Sequence, residues 1–156
     1  MTIDEFGDYG ITNMTDEEID GFLSSQNVGV LAVSDDEAPS MRPLSFWFDE
    51  GNLYFLYLVG SESRKNDLSA RADTARFLVY RAETRFNWRS VLLTGTVEEV
   101  PEDEREAITE AMEMDRRPEA LKRASESEET KLYRLRVEER TWVKHLGLPE
   151  GFDARE

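Results

Sequence analysis

The sequence predicts a mainly β protein, a small antiparallel barrel with flanking helices. Short runs rich in β-branched and aromatic residues recur along the chain and are separated by turn clusters such as DDEAPS. Apolar residues occupy both parities of these runs, which indicates two buried faces, as in a closed barrel or in a sheet covered by a partner subunit. The connections between the runs are short enough for antiparallel pairing.

The elements are predicted in chain order. TDEEIDGFLSSQ is typical of a short amphipathic helix, with Thr15 as the N-cap and Glu18 reaching back in a capping box. Strands are predicted over 28–34, 40–48, 52–58, 75–81 and 89–100, with a short helix, SRKNDLSARA, between the third and the fourth. Pro101 opens a helix, Pro118 restarts a second helical piece, and two strands, KLYRLRVEE and TWVKHL, follow. We expect a single domain over residues 1–156, with an acidic leader at 1–14 and a loose tail at 147–156.

Charge and composition exclude several classes of function. The chain has 34 acidic and 19 basic residues and a formal net charge of -15, so its surface repels nucleic acid and anionic membranes. It has no cysteine and one histidine, which excludes disulfides and thiolate or histidine-rich metal sites. No apolar run approaches membrane-spanning length, and we expect a cytoplasmic protein. The acidic, lysine-poor composition also predicts a halophilic source; the alternative is an ordinary acidic protein.

The stretch GSESRKNDL gathers cations in this acidic chain, where a predicted strand ends and a helix begins. Backbone N–H groups at a helix start favour an anion, a guanidinium offers a fork to phosphate oxygens, and hydroxyls add donors. The residues that predict a phosphate site are Gly60, Ser61, Ser63, Arg64 and Lys65. The alternative is a solvated N-cap with ordinary surface cations.

Two further strands carry a cation. In MRPLSFWFD, Arg42 lies in an apolar strand and needs an anion, from a ligand or from one of the many carboxylates. Pro43 cannot donate to a strand ladder, so this strand should have an edge, a bulge or a ligand beside it. In NWRSVLLTG, Trp88, Arg89 and Ser90 suit a planar, hydrogen-bonding ligand such as a flavin, unless Trp88 is core or interface packing.

The other titratable residues favour structural roles. Paired carboxylates such as Asp35-Asp36 and Glu128-Glu129 are typical of a solvated surface. His145 lies in an apolar strand, and we interpret it as a structural histidine with its hydrogen bonds satisfied. There is no Gly-rich dinucleotide fingerprint, Walker loop or nucleophile elbow, and no side chain is predicted to be catalytic.

Two stretches, in this order along the chain, carry a family resemblance: VGVLAVSDDEAPSMRPLSFWFDEGNLYFLYLVGSESRKNDL and WRSVLLTGTVEEV. With them, the chain resembles the pyridoxamine 5'-phosphate oxidase-like family of FMN-binding split barrels, in its nitroimidazole-resistance-like branch. The resemblance covers roughly residues 15 to 100. It implies a six-stranded antiparallel split β-barrel with flanking helices, and a homodimer that holds FMN between its subunits.

The resemblance also implies residue roles. Arg42, Pro43, Leu44 and Ser45 would run along the flavin and its phosphate tail, Ser61, Ser63, Arg64 and Lys65 would hold the phosphate, and Trp88 to Ser90 would approach the isoalloxazine or the phosphate. The C-terminal stretch lacks the arginine and histidine substrate motif of true pyridoxamine phosphate oxidases, and the loop at 60–65 lacks a histidine, which argues against vitamin B6 oxidation and nitro-group reduction.

These roles imply an FMN-dependent oxidoreductase that acts on a small molecule. The alternatives are a flavin-binding or sensing module without turnover and a reductase that uses the deazaflavin F420; a related branch binds haem.

Overall fold

A computed structural model describes residues 11–34, 38–58, 74–114 and 130–146 of the chain. The described strands are β1 (Ile11–Thr12), β2 (Val28–Val33), β3 (Ser40–Asp49), β4 (Asn52–Leu58), β5 (Ala75–Thr84), β6 (Asn87–Glu99) and β7 (Thr130–Leu146). The described helices are α1 (Asp16–Ser25) and α2 (Glu102–Met114). In this part of the chain, no helix is long and apolar enough to cross a membrane.

The sheet is a closed antiparallel barrel, which confirms the predicted fold. Its strands follow the order β1-β7-β4-β3-β2-β5-β6, and β6 also pairs with β7. The six longer strands therefore close on themselves, and β1 adds a two-residue edge to β7 through Ile11 and Thr12. Closure gives the barrel a single apolar interior, in which Phe77, Val91 and Leu135 are fully buried.

The helices cover different parts of the barrel. Helix α1 packs Ile19, Phe22 and Leu23 into the core, the i, i+3, i+4 spacing of an amphipathic helix. Helix α2 lies outside, where Ile108 and Ala111 pack against a second cluster of buried residues. That cluster comprises Trp47, Tyr54, Val100 and Leu132.

The predicted capping of α1 is confirmed. The Glu18 N–H donates to Thr15 Oγ1 at 3.1 Å. The pKa of Glu18 is below its ordinary value, chiefly because Lys144 donates to its carboxylate, and the Thr15 backbone N–H adds to the effect. Helix α1 is also tied to β7 by Arg140, which donates to Asp20 at 2.7 Å and to Asp16 at 2.8 Å.

The structure corrects the predictions at both ends of the described chain. KLYRLRVEE and TWVKHL are not two strands but one 17-residue strand, β7. Two residues of the expected acidic leader form β1. The predicted short helix over SRKNDLSARA, the helical piece from Pro118 and the tail from residue 147 lie outside the described residues.

Candidate functional site

Residues Arg42 to Ser45 lie on the half of β3 that has one described neighbour. Strand β3 pairs with β2 from Ser40 to Ser45, whereas its pairing with β4 begins at Phe46. Within the described residues, the barrel is therefore split between β3 and β4 beside Arg42–Ser45. Pro43, which has no N–H to donate, lies on this edge, as the sequence predicted.

The Arg42 side chain is partly buried on the inner side of the split. It shares a face with Leu31, its partner on β2, and its guanidinium lies 5.2 Å from the ring centroid of Tyr57. Among the described residues, Arg42 makes no ion pair with a carboxylate. The described structure therefore does not contain the salt bridge that the sequence left open as an alternative. Leu44 shares this inward side and packs against the core, whereas Pro43 and Ser45 have the opposite parity.

The predicted phosphate-binding residues Gly60, Ser61, Ser63, Arg64 and Lys65 lie outside the described residues. Strand β4 ends at Leu58, next to the Tyr57 ring on which Arg42 lies, and the description resumes at Thr74. Arg42 thus lies at the end of the barrel from which the chain enters this segment.

Trp88, Arg89 and Ser90 do not form one surface. Successive side chains of β6 alternate between its two sides. Trp88 packs edge-to-face against the His145 ring, with centroids 5.8 Å apart, whereas the Arg89 guanidinium lies 5.9 Å from the ring centroid of Phe22 on α1. Ser90 shares the parity of Trp88. Trp88 and Ser90 therefore lie on one side of β6 and Arg89 on the other, in different surroundings.

His145 is buried, as a structural histidine should be, but its hydrogen bonds are not all satisfied. Its side chain is 8% exposed, between the edges of Phe86 and Trp88. Its Nε2 atom, like the Nε1 atom of Trp142, has no hydrogen-bond partner in the described part of the chain. The expectation of a fully satisfied histidine is therefore wrong.

Two open cavities flank α1. One, of about 370 Å³, lies between α1 and the β5–β6 hairpin and includes Arg89 in its wall. The other, of about 570 Å³, is acidic and is lined by Asp20, Asp49, Glu50, Glu138 and Glu139 among others. Neither of these two cavities is lined by Arg42, Ser45 or Trp88.

Apart from Arg76 at one end, the outer face of β2, β3 and β5 is mainly apolar, and large apolar side chains are exposed on it among the described residues. Val28, Met41 and Tyr80 are 55%, 66% and 57% exposed. Val30 pairs with Pro43 on one side and with Leu78 on the other, so this face runs continuously across three strands and reaches the split beside Ser45. Large apolar side chains clustered on one exposed sheet face are typical of an interaction surface.

The fold and the split beside Arg42–Ser45 define the class of split-barrel proteins. Residues 15–143 match the family model described as pyridoxamine 5'-phosphate oxidase, and the chain belongs to this family. No curated protein matches the chain.

Solved structures share the fold. A structure described as an FAD-binding protein from Mesorhizobium loti is 20% identical, with a TM-score of 0.64 over 86% of this chain and 97% of that one. The FAD and heme binding protein from Mycobacterium smegmatis is 18% identical, with a TM-score of 0.68 over 92% of this chain and 77% of that one. A putative 5-nitroimidazole antibiotic resistance protein from Bacteroides thetaiotaomicron is 15% identical, with a TM-score of 0.56 over 86% and 88%.

Proposed function

We propose that this chain is an FMN-binding flavoprotein, a cytoplasmic oxidoreductase that acts on a small molecule. The observation that carries the proposal is the open edge of β3. Residues 40–45 lack a described neighbour on the β4 side, so their backbone groups are available to the edge of a planar, hydrogen-bonding ring. Arg42, without a carboxylate among the described residues, leaves a cation at the same place.

The proposed residue roles follow from this edge. Pro43, Leu44 and Ser45 line the flavin along the backbone edge of β3, with the Leu44 side chain turned to the core, and Arg42 faces the phosphate tail. The phosphate itself is held by the cationic segment that follows β4, through Gly60, Ser61, Ser63, Arg64 and Lys65. Trp88 and Ser90 lie on the side of β6 opposite Arg89 and approach the isoalloxazine.

When bound, the flavin supplies the transfer of a hydride or of electrons, and the protein supplies binding, orientation and electrostatics. The relatives described as FAD-binding support a flavin cofactor in general. The choice of FMN rests on the resemblance to FMN-binding split barrels and on the cationic segment after β4, which suits a phosphate.

A flavin titration tests this proposal. The purified protein is expected to show the visible absorbance of bound flavin, and Arg64→Ala and Lys65→Ala should each weaken FMN binding about tenfold or more, because each removes a hydrogen bond to a charged group. Lys122→Ala, which removes a lysine outside the segment, is the matched control. A colourless protein that binds no added FMN would refute the proposal, as would equal affinities of the three variants.

The same preparation separates the alternatives. Reduction of the bound flavin by NAD(P)H indicates an enzyme, whereas a flavin that no donor reduces indicates a binding or sensing module. Preferential binding of F420, or of haem, would replace FMN as the cofactor.

The flavin site is proposed to be completed by a second copy of the chain, docked on the apolar face of β2, β3 and β5. That face carries Val28, Met41 and Tyr80 and reaches Ser45, so a partner placed there would cover the open edge of β3.

The oligomeric state checks the shared site. We expect a dimer in sedimentation experiments and a monomer for Tyr80→Asp, because the substitution places a charge in an apolar contact. Ala107→Asp, an exposed apolar-to-acid change on α2, is the matched control and should remain dimeric. A wild-type monomer that binds FMN would contradict the shared site while leaving flavin binding intact.

A further inference from the structure

Three cations form a row across neighbouring strands near the α1 end of the barrel. In the register of the sheet, Arg81 of β5 lies directly opposite Arg89 of β6, and Arg89 lies directly opposite Lys144 of β7. Directly opposed side chains share one face of the sheet, and like charges in this arrangement repel each other. The row is therefore unfavourable unless anions neutralise it.

Carboxylates neutralise the two outer cations of the row. Arg81 pairs with Glu83 at 2.7 Å, and Lys144 pairs with Glu18 at 2.7 Å. The Glu83 carboxylate also accepts from the Asn87 side chain at 2.9 Å. Three cations and two carboxylates leave one net positive charge, which is that of Arg89.

Arg89, the central cation, has no hydrogen-bond or ion-pair partner among the described residues. Its guanidinium lies 5.9 Å from the ring centroid of Phe22, and its charge contributes to the lowered pKa of Glu18, which binds Lys144 instead. Two other partly buried arginines of the barrel hold two carboxylates each: Arg134 holds Glu98 and Glu104, and Arg140 holds Asp16 and Asp20.

The unpaired guanidinium faces the cavity of about 370 Å³ between α1 and the β5–β6 hairpin. This volume is in the range of sites for small molecules. Ser25, Gln26 and Asn87 place further polar side chains in the wall. Gly21 of α1 also lines the cavity, and a Cβ at that position would meet nothing within 4 Å.

We propose that this cavity is an oxyanion site, in which Arg89 binds the carboxylate or phosphate group of a small molecule. A guanidinium presents two parallel N–H donors that match the geometry of such a group. The ligand neutralises the centre of the cation row, and the acceptors Glu18 and Glu83 do not repel it strongly because each is already bound to a cation. The site lies on the side of β6 opposite Trp88 and Ser90, so it does not depend on the proposed flavin function.

An NMR titration tests the oxyanion site. Inorganic phosphate and succinate are added separately to the full chain at constant ionic strength, and the Arg89 Nε–Hε signal and the backbone amides of the cavity wall are followed. We expect saturable shifts centred on Arg89, Phe22 and Asn87. The probe that binds more tightly tells whether the site prefers a phosphate or a carboxylate.

Two variants sharpen the test. Arg89→Gln should weaken binding about tenfold or more, because a hydrogen-bonded charge is lost, and should unfold at an unchanged or higher temperature, because a like-charge contact is relieved. Gly21→Leu should reduce binding similarly by filling the cavity while leaving the cations in place. Arg76→Gln, on an exposed position of β5, is the matched control and should bind as the wild type does.

The proposal is overturned if neither probe causes a saturable shift, if the shifts are centred away from the cavity, or if Arg89→Gln binds as tightly as Arg76→Gln.

Discussion

The substitution Gly95→Ala tests how closely β6 and β7 approach at the register shift between Thr94 and Gly95. Gly95 pairs with Val137, while its neighbour Thr94 pairs with Glu139, so one residue of β7 is left without a direct partner. A Cβ at Gly95 would lie 1.9 Å from the Arg136 carbonyl oxygen and 2.8 Å from its carbonyl carbon. Both are backbone atoms, so no side chain can rotate away.

The expected loss of stability follows from these distances. Nonbonded atoms settle at roughly 3.5 Å, so the two strands would have to separate by about 1.5 Å at this point. Overpacking of this kind costs about 1–3 kcal/mol. One or two stretched ladder hydrogen bonds add about 1 kcal/mol each. We therefore expect Gly95→Ala to lower the free energy of unfolding by about 2–5 kcal/mol, or the Tm by roughly 10 °C for a chain of this length.

Thermal and urea unfolding, followed by circular dichroism and tryptophan fluorescence, measure this loss. Gly21→Ala is the matched control: it adds the same methyl group in the middle of α1, where nothing lies within 4 Å, and should stabilise the protein by up to about 1 kcal/mol through helix propensity. If Gly95→Ala lies within 1 kcal/mol of the wild type, on the order of the error of the method, the close approach of the two strands is refuted.

Two further predictions concern charge. Burial favours the protonated form of Glu98, but hydrogen bonds from Arg136 and Arg134 outweigh it and hold the pKa of Glu98 below its ordinary value. Its pairing therefore stabilises the fold above the unfolded-state pKa and is lost as the pH falls through the folded-state pKa. Glu98→Gln should destabilise the protein at pH 7 but not in acid. The loss at pH 7 should be larger than for Glu99→Gln, because the Glu99 carboxylate lies 3.8 Å from its partner Lys131. Equal free energies of unfolding for the two variants across this pH range would contradict the prediction. The predicted adaptation to salt requires the Tm to rise from low salt to molar KCl, because screening relieves the repulsion within a chain of net charge -15; a Tm indifferent to KCl would refute it.

Local patterns predicted most of the fold. The strands that begin at Val28, Ser40 and Asn52 were predicted within a residue, because each is an apolar run bounded by turn residues. Thr15 marked the start of α1, because a threonine followed three residues later by a glutamate is a local capping signal. The long strand β7 was missed because EER interrupts its apolar pattern; there Glu138 accepts from Thr96 and Arg140 binds α1, contacts that no local pattern contains.

The candidate site was less predictable, because it depends on which strands become neighbours. Pro43 correctly indicated an edge, since proline cannot complete a ladder. The grouping of Trp88 with Arg89 ignored the alternation of side chains along a strand, which places them on opposite sides. The cation row could not be found before the register was known, because Arg81 and Arg89 become opposed only through the pairing of β5 with β6, and Lys144 comes from the distant strand β7.

The barrel cannot close until β7, the last described strand along the chain, is present. Strand β7 supplies the partner of β1, β4 and β6, and its Arg140 and Lys144 hold α1, which lies 120 to 126 residues earlier. Contacts of such long range form slowly. During synthesis, α1 and β1 emerge long before their partners in β7, and β4 and β6 present unpaired edges until residues 130–146 arrive. The nascent chain is therefore most exposed to mispairing just before its barrel closes.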